Sequence, residues 1–198
     1  MYDTREENSL TIRSIAAWII ALTMVLSFVS FACAEEYEFA WGTSQSSVIE
    51  KMGEPDETDE DEGRTVLRYQ DKTFGKYNHV LVVQVFKNDG LICRGFAFQE
   101  DADLNTYHGI ANTFEEKYGK STDSLQTLYE YLVITGEYNQ DEVSFDAFKN
   151  MADSMQDKFQ YMTWKPDSQT CICLYVTMEE GQNETFIVYY QPDDTIPE

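Results

Sequence analysis

Basic side chains are scarce in this chain: 14 lysines and arginines stand against 36 aspartates and glutamates, a formal net charge of −22. Phosphate binding needs a basic surface, so this balance excludes nucleic acid as a partner. It argues equally against anionic lipid, and it suits solubility, a cationic partner or cation binding. Histidine is scarcer still, with two in 198 residues, His79 and His108. A Ser or Cys nucleophile needs a His and an orienting acid, and neither histidine has a nucleophile motif beside it. No G-x-S-x-G, H-E-x-x-H or Walker loop occurs. Carboxylate pairs of the glycosidase kind can be drawn anywhere in so acidic a chain, so they carry no signal. The expectation is a non-enzymatic protein with no cofactor. Cysteine is limited to four positions, and the C-x-C of Cys171 and Cys173 with the distant Cys93 does not make a zinc site. No metal site is expected.

Charge is also missing from one long stretch. Residues 15–34 carry none and are rich in Ile, Leu, Val, Phe and Ala. The run ends in Ala32-Cys33-Ala34, the small-x-small pattern of a secretory cleavage site. Arg13 before it and Glu35-Glu36 after it place the N-terminus inside and the remainder outside. Asp3, Glu6 and Glu7 in the leader depart from a basic n-region. The segment is therefore read as a signal peptide (residues 1–34). A retained anchor through 15–34 is the alternative, since about 20 apolar residues span a bilayer. Lipid attachment at Cys33 is a third option. All three place residues 35 onward in the cell envelope or outside the cell. Without the leader's two arginines and three acids, 12 basic and 33 acidic residues remain, a net of −21. Cys93, Cys171 and Cys173 are left, either as one bridge from Cys93 or as buried thiols.

What is present is a short pattern that occurs twice. The first copy is Trp41-Gly42-Thr43-Ser44, Val48, then Glu50-Lys51-Met52-Gly53-Glu54-Pro55. The second is Tyr107, Ile110, Phe114, then Glu116-Lys117-Tyr118-Gly119-Lys120-Ser121. Each reads as a helix stopped by a glycine and followed by strands. Ser44 is the expected N-cap of a helix through Met52, and the second helix spans about Leu104 to Tyr118. The acidic run 56–63 reads as a solvated loop, and a plain charged loop is favoured there over a Ca²⁺ loop, because Thr58 fails as a ligand. Strands are expected over 65–70, 80–87, 91–98, 161–164, 170–178 and 184–190, with a tight turn at Asn88-Asp89-Gly90. In 91–98, Ile92, Phe96 and Phe98 share a face with Arg94, and Leu91, Cys93 and Ala97 share the other. Between them, Leu125 to Gly136 and Ser144 to Met155 read as a helical pair.

The fold class is therefore α+β, with helices capping one side of antiparallel strands. The units are residues 35–101 and 102–192, the second with a helical insertion at about 122–158, before a loose tail at 193–198. The string Gly42-x-Ser44-x-x-x-Val48-x-x-x-x-Gly53-x-Pro55, followed by strands, resembles the SmpA/OmlA-type envelope domain. Doubled, the unit resembles the β-lactamase inhibitor protein fold, over residues 39–121 and 159–192. In that inhibitor family the open sheet face clasps a partner protein, but no contact residue transfers from so short a motif. From alternation alone, Arg68 and Tyr175 fall opposite the better-defined core faces and are the candidate partner-binding residues on an open sheet face. The resulting expectation is an exported protein-binding module. The alternatives are a membrane-tethered envelope assembly or maintenance protein and an unrecognised hydrolase. Cell fractionation separates the first two. A chain recovered in the medium or periplasm with Glu35 at its N-terminus fits the module, whereas an uncleaved chain sedimenting with membranes fits the tether.

Overall fold

Ser44 accepts a hydrogen bond from the Ser47 amide and Gly53 closes the other end, bracketing the first helix of the computed structural model, α1 (Gln45–Met52). Residues 37–61, 63–98, 103–135, 142–155, 158–179 and 182–192 are described. The leader, the stop at Gly136 and the tail 193–198 lie outside them. The described residues within 39–73 and 77–192 form one body, and residues 37–38 and 74–76 group apart from it.

Among the described residues the chain forms four helices and seven strands. After α1 come β1 (Glu57–Asp61), β2 (Arg64–Phe74), β3 (Tyr77–Lys87) and β4 (Gly90–Phe98). Then follow α2 (Leu104–Tyr118), α3 (Leu125–Thr135), α4 (Phe145–Ser154), β5 (Phe159–Trp164), β6 (Cys171–Glu179) and β7 (Gln182–Tyr190). The strands make one antiparallel sheet in the order β1-β2-β3-β4-β7-β6-β5. At its centre β4 pairs with β7, Cys93 opposite Tyr190 and Phe98 opposite Thr185. The β3–β4 hairpin turns on Asn88 and Asp89, both at positive φ (53° and 65°), which is the type I′ geometry that matches strand twist. Among the described residues no helix is long and apolar enough to cross a membrane.

The two glycines of the repeated pattern adopt nearly the same conformation, Gly53 at φ 88°, ψ −179° and Gly119 at φ 84°, ψ −172°. Each donates its amide to the carbonyl four residues back, Ile49 and Glu115. A φ near +85° is where a side chain strains the backbone, so only glycine ends these helices cheaply. The Trp-Gly-x-Ser opening is a stitch to β4: the Gly42 amide donates to the Leu91 carbonyl, and the Leu91 amide donates to Thr43, both at 2.9 Å. The late tryptophan has a similar task, since Trp164 Nε1 donates to the Gly119 carbonyl at 2.9 Å and its ring meets Phe114 edge-on.

One sheet face carries Leu67, Val82, Ile172, Leu174 and Ile187, all fully buried, beneath the Val48 of α1 and the stripe Tyr107, Ile110, Phe114 of α2. The expected one-sided arrangement needs correction. The other face carries a second core in which α3 and α4 pack Leu128, Tyr131 and Phe148 onto Cys171, Cys173, Val188 and Tyr190. Alternation cannot say whether an inserted helical pair lies on the sheet or beside it, because that depends on the direction of its connections. A bulge between Val85 and Phe86 pairs Val85 with Cys93 and Phe86 with Leu91, so Leu91 joins the Arg94 side and Ile92 packs with the Cys93 cluster. This reverses the faces expected for both residues.

The acidic run is also corrected. Glu57–Asp61 is an edge strand, with Glu57 opposite Arg68 and Asp59 opposite Val66. Backbone pairing requires nothing apolar from the side chains, and a charged edge strand resists further strand addition. Two substitutions separate local from tertiary stability. Leu128→Ala should lower unfolding free energy by about 2–5 kcal/mol, and Ser44→Ala by about 1 kcal/mol, both read from urea midpoints at constant slope.

Candidate functional site

The second face is covered at β7 and β6 by α3 but left open over β2, β3 and β4. A cleft of about 290 Å³ lies there. Its floor is made by β3 and β4 through Val83, Val85, Cys93, Gly95 and Ala97. One wall is β2, with Val66 and Arg68, and the other is Tyr175, Phe186 and Val188 from β6 and β7. Tyr131 and Thr135 of α3 close one end. Side chains two apart on a strand share a face, which is why the odd positions of β3 and β4 line the cleft together.

Both residues picked from the sequence, Arg68 and Tyr175, line this cleft. The expectation of an open face is corrected, because α3 and α4 pack on part of it. Tyr175 is half-buried and stacks on Phe186, ring centroids 4.8 Å apart at 17°, with Tyr131 at 6.1 Å. Arg68 is held by the Asp59 carboxylate, and Glu57 stands 3.9 Å away. The second basic group on this face, Arg64, points a guanidinium nitrogen at the Val133 carbonyl at 3.5 Å, in the last turn of α3. Both cations are thus engaged within the molecule, and Glu57 and Asp59 remain exposed beside the cleft.

The histidines lie elsewhere. His79 and His108 are exposed and neither lines the cleft; His79 Nδ1 sits 3.1 Å from Asp71, and His108 meets Tyr107 edge-on. Among the described residues no group of three or more His, Cys, Asp or Glu is arranged to hold a metal ion. In β1, Glu57 and Asp59 share one face, where both approach Arg68, and Glu60 is on the other.

Sequence reasoning missed Gly95, Tyr131 and Phe186. Gly95 had a signal, a glycine inside the apolar strand Ile92 to Phe98. Tyr131 had none, because nothing local says where α3 docks. Among the described residues, Cys93, Cys171 and Cys173 are buried thiols. Cys93 and Cys171 both pair with Tyr190, on its two sides. Two strand spacings, roughly 9–10 Å, exceed disulfide reach. No protein-family model, curated protein or solved structure matches this chain.

Below the cleft, the Tyr190 hydroxyl donates to the Thr127 carbonyl at 2.7 Å and lies 3.0 Å from Glu130. Burial pushes the Tyr190 phenol well up, and nearby Cys173, Cys171 and Glu130 push it further. Burial also raises the Cys173 thiol. Both groups are protonated in folded and unfolded chains at neutral pH, so their stabilisation is fully present there. Above the ordinary values of 9.0 and 10.0 the unfolded chain loses its protons first, and stability falls as pH rises. The urea midpoint should be level from pH 7 to 8 and decline from about pH 9. Tyr190→Phe should cost about 1–3 kcal/mol at pH 7 and make the alkaline decline shallower.

Proposed function

We propose that this chain is an exported, non-enzymatic protein-binding module that grips its partner with the sheet face left open over β2, β3 and β4. The observation that carries the proposal is the cleft itself: Arg68 and Tyr175, far apart in sequence and chosen by alternation alone, meet around it. An apolar depression with a few polar groups at its margin is the usual form of a recognition site. Aromatic and arginine side chains are the commonest anchors in such places.

The architecture proposed with it is a tandem duplication of one helix-plus-sheet unit, in the manner of the β-lactamase inhibitor protein fold. Two observations support it. The strand order reads β2-β3-β4 outward to inward and then β7-β6-β5 inward to outward, as two units joined at their last strands would. The helix that opens each unit, α1 and α2, ends on a glycine of matching conformation. In this arrangement α3 and α4 are an addition to the second unit that covers half of the shared sheet face. The export signal at residues 15–34 and the acidic surface fit a module that works outside the cytoplasm.

The test is capture of a stoichiometric partner from the envelope and culture fluid by the immobilised exported chain. Tyr175→Ala should weaken that complex by about tenfold or more, and Arg68→Ala should alter it measurably by freeing Asp59 at the margin of the cleft. A complex unchanged by both substitutions would place the partner on another surface.

A further inference from the structure

Gly95 is in the interior of β4, where a β-branched or aromatic residue is the common choice. Its backbone does not require glycine, since its φ lies outside the left-handed region. Steric crowding does not require it either. A Cβ there would lie 3.8 Å from the Val83 Cβ and 4.0 Å from the Ile187 carbonyl oxygen, both ordinary contacts. A glycine in a strand interior forgoes packing and costs conformational entropy. What its missing side chain leaves is space, and that space is the floor of the cleft.

The surroundings of that space define what fits. At about 290 Å³ the cleft lies at the foot of the size range of small-molecule pockets, roughly 300–1,000 Å³. It has room for one large side chain and little more. Its walls are the stacked rings of Tyr175 and Phe186 and the aliphatic groups of Val66, Leu81 and Val83, which stay partly exposed. The rim is acidic. Asp59 neutralises Arg68 and Arg64 keeps its charge while turned toward the Val133 carbonyl, so with Glu57 and the exposed Glu184, two residues from Phe186 on the same face of β7, three carboxylates stand against two guanidinium groups. A net charge near −21 adds a long-range field of the same sign.

We infer that the cleft is a socket for one large apolar side chain, an aromatic above all, presented by a basic polypeptide segment, with Gly95 as its open floor. This rests on the sheet-face function proposed above and names the chemistry of the partner. The apolar group displaces water from Val83, Ala97 and Phe186, and lysines or arginines flanking it meet Glu57 and Glu184.

The whole chain, as recovered from expressing cells, is titrated against fluorescent 12-residue peptides. These carry one central Trp, Phe, Leu or Ala in a Lys/Gly/Ser background, with Glu/Gly/Ser counterparts. The Trp–Lys peptide should bind about tenfold or more tighter than the Ala–Lys and Trp–Glu peptides, and should weaken between 50 and 300 mM salt. Gly95→Leu fills the floor and should abolish this binding, whereas Gly95→Ala should only weaken it. Leu81→Lys, at the partly exposed wall, gives a second variant should Gly95→Leu fold poorly, with circular dichroism reporting the fold. Equal binding of Lys and Glu peptides, binding indifferent to both Gly95→Leu and Leu81→Lys, or no peptide binding would overturn the inference. In that last case, a captured partner still lost on Gly95→Leu leaves the sheet-face function standing and removes only the chemistry assigned here. A captured partner indifferent to Gly95→Leu, Arg68→Ala and Tyr175→Ala removes both.

Discussion

The antiparallel pairing of β4 with β7 is the contact on which everything else in the body rests. It joins β1 to β4 with β5 to β7 in one sheet, and each side chain on these two strands then belongs to one of two cores. Phe96, Ile187 and Tyr189 serve the face under α1 and α2, with Phe96 and Tyr189 meeting edge-on. Cys93, Val188 and Tyr190 serve the face under α3. A sheet buried on both faces near its middle cannot shift register without exposing one core to the other's surroundings. Arg94 shows how tightly the arrangement is closed. Its guanidinium lies over the Trp41 and Tyr189 rings and donates to the Phe39 carbonyl at 3.2 Å, so even a charged residue of β4 is absorbed into the interior.

The cleft follows from where the second core stops. The helical pair α3 and α4 packs onto Cys171, Cys173, Val188 and Tyr190 of β6 and β7 and buries Val85 and Cys93 of β3 and β4, with Val83 and Ile92 only partly buried against the same cluster. Farther along, β3 and β4 offer Leu81, Val83, Gly95 and Ala97 to the cleft instead. Those residues are too apolar for a fully solvated sheet face and too few to form a core of their own. The rigid floor beneath them matters for recognition, because a partner group entering the cleft meets side chains already fixed by packing.

Much of the fold was legible. Ser44, Gly53 and the stripe Tyr107, Ile110, Phe114 located α1 and α2 to the residue, because caps and helical periodicity are local. Ser144 likewise located the start of α4, where its hydroxyl accepts from the Ala147 amide. Asn88 and Asp89 named their turn. Arg68 was placed opposite Leu67 and Tyr69, and Tyr175 opposite Leu174 and Val176, as the structure has them, because alternation fixes relative orientation along a strand. The acidic edge strand was not legible, because its pairing with β2 is made by backbone groups while its side chains read as a loop. The Leu91–Ile92 reversal was not legible either, because a bulge depends on the partner strand.

Local sequence thus determined the helices, the strands other than β1, and the in-or-out parity of the strands except at the bulged start of β4, all of which are set within a few residues by dihedral preference and side-chain spacing. Tertiary structure alone decided that β4 meets β7, that α3 and α4 lie on the second sheet face, and that Arg68, Gly95 and Tyr175 surround one cleft. Those outcomes depend on contacts between residues distant in sequence, whose geometry exists only after the sheet has closed around its two cores.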